Sequence, residues 1–108
     1  MRVLVPLGEF EQMVLLAVLC AGGNAYGVTV HAELESRANR RVSRGAVYMT
    51  LDRLEKKGLL TSSLSDPTPE RGGRAKRCYV VTKPARGALH ASRRALMNLW
   101  EALEPAKE

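Results

Sequence analysis

Histidine and cysteine are scarce in this 108-residue sequence, two of each, and their scarcity closes off most chemistry. His31 and His90 are the only histidine bases; they fall in different segments, and neither has a nucleophile motif or metal-ligand cluster around it. Catalysis is therefore not expected, no metal or cofactor is implied, and both read as exposed helix histidines. Cys20 lies in an apolar run and Cys78 in an alternating segment, at a separation that fits no zinc pattern. Both read as small buried hydrophobes in a reducing compartment. A phosphate loop is missing too, because RGGR at 71–74 lacks the Lys and the Ser or Thr that such a loop needs. The apolar run Met13 to Ala21 is about half of the roughly 20 residues required to span a bilayer. Arg2 is followed by too few apolar residues before Pro6, Glu9 and Glu11 to make a signal peptide, so a cytoplasmic protein without a membrane partner is expected.

Acidic residues are in deficit: 11 against 17 lysines and arginines, for a net charge of +6. That balance favours an anionic partner, although by itself it fits RNA or a membrane surface as well as DNA. With 45% hydrophobic residues the chain can build one small core, which would gain from burial against a second copy.

What is present is concentrated between Ser43 and Thr82. Ser43 is placed to cap a helix that ends at Lys56, Lys57 and Gly58, the last able to take the left-handed backbone conformation. Val47, Leu51 and Leu54 form its buried stripe, which turns Gly45, Met49, Asp52, Arg53 and Lys56 outward with Tyr48 at the edge. Leu59 to Leu64 and Lys76 to Val81 alternate as two antiparallel strands. Between them Pro67 and Pro69 prevent regular pairing, Gly72 and Gly73 permit tight turns, and Arg71, Arg74, Lys76 and Arg77 gather positive charge. A cationic hairpin beside a shallow helix face suits a polyanion, and the order helix, strand, basic tip, strand is that of a winged helix.

Three further helices surround this unit. The first runs from Leu7 or Gly8 to Ala21, apolar nearly all round and hence central, and stops at Gly22 and Gly23. Asn24 is expected to cap the second, in which Tyr26, Val30, Leu34 and Ala38 recur every fourth residue. The short link from Ala38 to Ser43 predicts a helix-turn-helix, with Arg37, Arg40, Arg41 and Arg44 near DNA phosphates. Thr82 can cap a last helix, with Pro84 in its first turn. Its stripe of Leu89, Ser92, Leu96, Leu99 and Leu103, flanked by Trp100, is longer than helix one can cover, so pairing with the same helix of a second subunit is expected. Trp100 and Met97 could also line a pocket for a small-molecule effector at that interface.

The fold class expected is thus mainly α: a winged helix-turn-helix over residues 1–82, three helices plus a two-stranded wing, and a C-terminal dimerisation helix over 83–108. A polar, basic helix face and an arginine-rich wing favour a sequence-specific DNA regulator over an interaction module or a general nucleic-acid binder.

The segments LGEFEQMVLLAVL (7–19), NAYGVTVHAEL (24–34), VSRGAVYMTLDRLEKKGLL (42–60) and RGGRAKRCYVVT (71–82), with Leu99 and Trp100, resemble the PadR family of transcriptional regulators across nearly the whole chain. The resemblance implies a homodimeric winged-helix repressor of the short type on a pseudo-palindromic double-stranded operator. It places Ser43, Gly45, Tyr48 and Met49 on the DNA-facing helix and Arg71 to Arg77 in the wing. Arg44 and Met49 stand where members vary, so the operator cannot be carried over from a relative.

Overall fold

A computed structural model describes residues 7–65 and 76–104, with elements in the order α1 (Glu9–Ala21), a 3₁₀ turn (Gly22–Asn24), α2 (Gly27–Arg37), α3 (Arg44–Lys56), β1 (Leu60–Leu64), β2 (Arg77–Val81) and α4 (Lys83–Leu103). The architecture is the expected mainly helical winged helix: four helices and one antiparallel hairpin, in which Leu60 pairs with Val81 and Leu64 with Arg77.

Helix α1 begins where Gly8 donates its N–H to the Glu11 carboxylate, 3.0 Å away. It buries Val14, Leu15, Ala17 and Val18 but leaves Leu16 and Cys20 exposed, so it is central on one side only. Cys78 is half-buried, its Sγ directed at the Gly23 carbonyl at 3.6 Å. The expectation of two buried cysteines is corrected on this point: Cys20 falls on the face of α1 turned away from the core.

The start of α2 is also corrected. Asn24 closes the 3₁₀ turn instead of capping, and the cap position falls to Tyr26, whose N–H donates to Thr29 Oγ1 at 2.9 Å. The cause is tertiary. Ala25 and Tyr26 are drawn against β2, where the Tyr79 N–H donates to the Ala25 carbonyl at 2.9 Å and Tyr26 bridges Cys78. At its other end α2 stops in the helix-turn-helix bend, with the Ala38 and Arg40 amides both donating to the Leu34 carbonyl and Asn39 at φ 51°. Asparagine is among the few residues with a side chain that adopt this left-handed conformation readily. Ala38, which shares the spacing of the core positions of α2, is exposed just beyond the last turn.

One core joins the four helices and the hairpin: Val14, Leu15 and Val18 of α1, Val30 and Leu34 of α2, Val47, Leu51 and Leu54 of α3, Leu60, Tyr79 and Val81 of the hairpin, and Ala85 and Leu89 of α4. Each wholly buried aliphatic side chain contributes about 1.5–3 kcal/mol. The first two turns of α4 therefore belong to the core of the preceding elements, and only its later turns project past it.

Candidate nucleic-acid interface

Helix α3 is fixed at both ends and along one side. Ser43 Oγ accepts from the Ala46 N–H at 3.0 Å, the chain leaves through Gly58 at φ 79°, and Val47, Thr50, Leu51 and Leu54 face the core. The opposite face holds Arg44, Gly45, Tyr48, Met49, Asp52, Arg53 and Lys56, all exposed, with Met49 at 65% the most open large apolar side chain of the helix. A β-carbon added to Gly45 would meet nothing nearer than the Ser43 hydroxyl at 3.9 Å. The glycine thus keeps the face shallow without filling any packing need. Asp52 and Lys56 pair at 3.1 Å one turn apart, which partly neutralises the distal end of the face.

The basic residues divide into two groups. Arg37 lies 2.6 Å from Glu33 and Arg40 3.1 Å from Glu9, exposed ion pairs that partly offset the charge of these two, which are expected near phosphates. Arg41 and Arg44 are exposed, and among the described residues no ion pair holds either. In the wing, the Lys76 ammonium lies 4.7 Å from the centre of the Tyr26 ring. Arg77 Nη1 donates to Ser62 Oγ at 2.9 Å, and Ser62 Oγ donates in turn to Glu55 at 2.6 Å. The strand root is thereby tied to the side of α3. Arg71, Gly72, Gly73 and Arg74 lie outside the described residues.

His31 is not the exposed helix residue expected from sequence. Its side chain is mostly covered and its Nε2 lies 2.7 Å from the Val42 carbonyl, with Glu35 at 3.6 Å. A carbonyl can only accept, so Nε2 carries the proton. The bond ties α2 to the residue just before the α3 cap, a role that sequence reasoning missed because the acceptor is a backbone atom eleven residues away. His90 is exposed, as expected.

Along α4, Thr82 Oγ1 accepts from the Ala85 N–H at 3.4 Å and donates to the Gly58 carbonyl at 3.0 Å. Leu89, expected in the dimer stripe on its spacing, lies instead in the chain's own core, and Ser92 is half-buried. Leu96, Met97, Leu99, Trp100 and Leu103 are exposed, Leu99 to 66% and Leu103 to 77%. Between α1 and α4 runs a groove of about 540 Å³ with Leu16, Leu19, Leu96, Met97 and Trp100 among its walls and Arg86 and Arg93 beside them. Among the described residues no group of His, Cys, Asp and Glu could hold a metal ion, and no helix is long and apolar enough to cross a membrane.

Comparison with known proteins agrees with this geometry. Residues 15–91 match the profile of the transcriptional regulator PadR-like family. A curated relative, Transcriptional regulator Rv3488 of Mycobacterium tuberculosis, is 43% identical over 79 residues, which cover 73% of this chain and 69% of the relative. Among solved structures, a PadR-like transcription factor from Bacteroides fragilis superposes with a TM-score of 0.73 at 23% identity, covering 87% of this chain and 85% of that one. A PadR family transcription regulator from Clostridium difficile gives 0.70 at 21% identity, covering 87% and 94%. These two likenesses speak for the fold alone; the profile match and the curated relative speak for the family. The chain belongs to the PadR-like family of transcriptional regulators, DNA-binding proteins whose work is regulation and not catalysis.

Proposed function

We propose that the chain acts as a homodimeric repressor on a pseudo-palindromic operator. In this reading Ser43, Arg44, Gly45, Met49 and Arg53 face the major groove, the Tyr48 hydroxyl at the edge of that face donates to a phosphate, and Arg41 and the wing residues Arg71, Gly72, Gly73, Arg74, Lys76 and Arg77 follow the phosphates. Residues 83–108 hold the two subunits together through Leu96, Leu99, Trp100 and Leu103, with Ser92 at the margin; Leu89 anchors the helix to its own domain. A small-molecule effector would enter the groove beside Met97 and Trp100.

The observation that carries the reading is the division of α3 into a wholly buried apolar side and an exposed side of mixed polar, basic and shallow positions. Helix α3 has no acidic residue in its first turn, so no carboxylate of that turn offsets the positive end of its dipole. The unpartnered leucines of α4 support the dimer, and a two-fold pair reads two half-sites at once. Occupying a site that transcription requires is sufficient for repression.

The test starts from duplexes that the wild-type protein selects from a random pool. Met49→Ala and Arg53→Ala are each expected to change preference at one operator position by about 1–3 kcal/mol. Reversing Arg71 and Arg74 to Glu should weaken all duplexes alike and flatten the salt dependence by about 0.9 for each phosphate no longer neutralised. Helix variants that keep the wild-type preference profile, or wing variants that keep its salt dependence, would contradict these assignments.

A further inference from the structure

We propose that Gly27 is a positioning residue for DNA recognition: its missing side chain is the notch that seats the Tyr48 ring and so aims the Tyr48 hydroxyl. The inference rests on the reading of α3 as the DNA-facing helix. Gly27 is the first residue of α2 and is buried; a β-carbon built on it would lie 2.2 Å from Tyr48 Cε1, 2.5 Å from Cζ and 2.7 Å from the hydroxyl oxygen. These are the three atoms nearest to such a carbon, and they belong to a rigid ring, not to the end of a pliant chain. Any other residue at 27 must therefore expel the ring from its place.

The backbone gives no reason of its own for glycine here. Gly22 and Gly58 are the glycines with positive φ among the described residues, so the conformation at 27 is one that alanine adopts freely. In a helix alanine is normally the more stable choice, because glycine loses more backbone freedom on folding. Glycine at 27 thus gives up stability, and what it admits is Tyr48. The tyrosine is 46% exposed, half in the notch and half toward solvent. With only two side-chain torsions, a ring pinned at one edge has its hydroxyl fixed relative to α2 and α3 together. Gly45 offers the contrast: an added β-carbon there meets only open space and the Ser43 hydroxyl.

The test is a double-mutant cycle in the full chain, read on a duplex selected by the wild-type protein. Gly27→Ala and Tyr48→Ala should each weaken binding about tenfold, the scale of one hydrogen bond to a charged group. The double variant should match Tyr48→Ala to within about twofold, where independent effects would multiply to about a hundredfold. Its melting temperature should also exceed that of Tyr48→Ala by about 2–6 °C, since alanine then gains its helix preference with nothing to displace. Should Gly27→Ala fail to fold alone, recovery of folding in the double variant reports the same coupling. Penalties that multiply, or a double variant that also fails to fold, would overturn the proposal. A folded Gly27→Ala that binds like wild type while Tyr48→Ala does not would overturn it alone. Wild-type affinity in Tyr48→Ala would overturn the placing of Tyr48 at DNA as well.

Discussion

Helices α3 and α4 begin alike and are covered differently. Each starts from a hydroxyl cap, Ser43 or Thr82, and each carries apolar residues three and four apart. In α3 the stripe of Val47, Leu51 and Leu54 is wholly buried by the chain itself, whereas in α4 burial ends after Leu89 and the leucines beyond are open. Helical periodicity tells which residues share a face. It says nothing about what covers that face, and between these helices lies the difference between a core and a proposed interface.

The largest difference between the two helices is expected when one leucine in each is truncated. Leu51→Ala is expected to cost about 2–5 kcal/mol by denaturant unfolding, because a fully buried side chain leaves a cavity that its neighbours fill only partly. Leu99→Ala should lower stability by an amount that depends on protein concentration, since its cover would come from a second subunit. Equal, concentration-independent losses at both sites would erase the distinction. A smaller effect is expected at the cap: Ser43→Ala should cost about 1 kcal/mol by leaving the Ala46 N–H without its partner, and a neutral result would mean that α3 is held by packing alone.

The smallest effect concerns the brace between α1 and the end of α3. The hydrogen bond from Lys57 to Glu11, 2.7 Å long, holds the Glu11 carboxyl below its usual range, aided by the Gly8 N–H and opposed by burial. A folded-state value below the unfolded one means that the stabilisation is present above the unfolded value and is lost as pH falls through the folded one. Glu11→Gln should thus cost about 0.5–1 kcal/mol at neutral pH, the range of a partly exposed ion pair, with the difference vanishing in acid. A difference that persists undiminished in acid would assign the loss to packing.

These outcomes also mark how far the sequence could be read. The bounds of α3 are legible because Ser43 and Gly58 act through local backbone chemistry, and the strands because alternation reports a half-buried sheet. What escapes depends on neighbours distant in sequence. Asn24 has the chemistry of a cap, but β2 holds Ala25 and Tyr26 against itself, with Tyr26 in extended backbone, and moves the helix start to Gly27. His31 holds a carbonyl, which no side-chain pattern announces, and the seat of Tyr48 on Gly27 is invisible to any rule that treats one helix at a time. Arg40 has the charge for phosphates, and the fold sets Glu9 beside it, whereas the pairing of Arg37 with Glu33 is one helical turn apart and legible in the sequence. Leu89 shares the spacing of the distal leucines, yet it falls in the part of α4 that the core reaches.

Whether the open end of α4 joins two DNA-reading units into one regulator is decided by replacing Leu96 and Leu103 with Asp and following sedimentation, circular dichroism and binding to a selected full-length operator together. Charge at these positions would be costly to desolvate and would repel its copy across a two-fold axis. A helical monomer is expected, with an affinity for the full operator lower by roughly a hundredfold or more, the gain that tethering two half-site contacts provides. A folded variant that remains dimeric, or a folded monomer that binds the full operator as tightly as wild type, would contradict that role of α4.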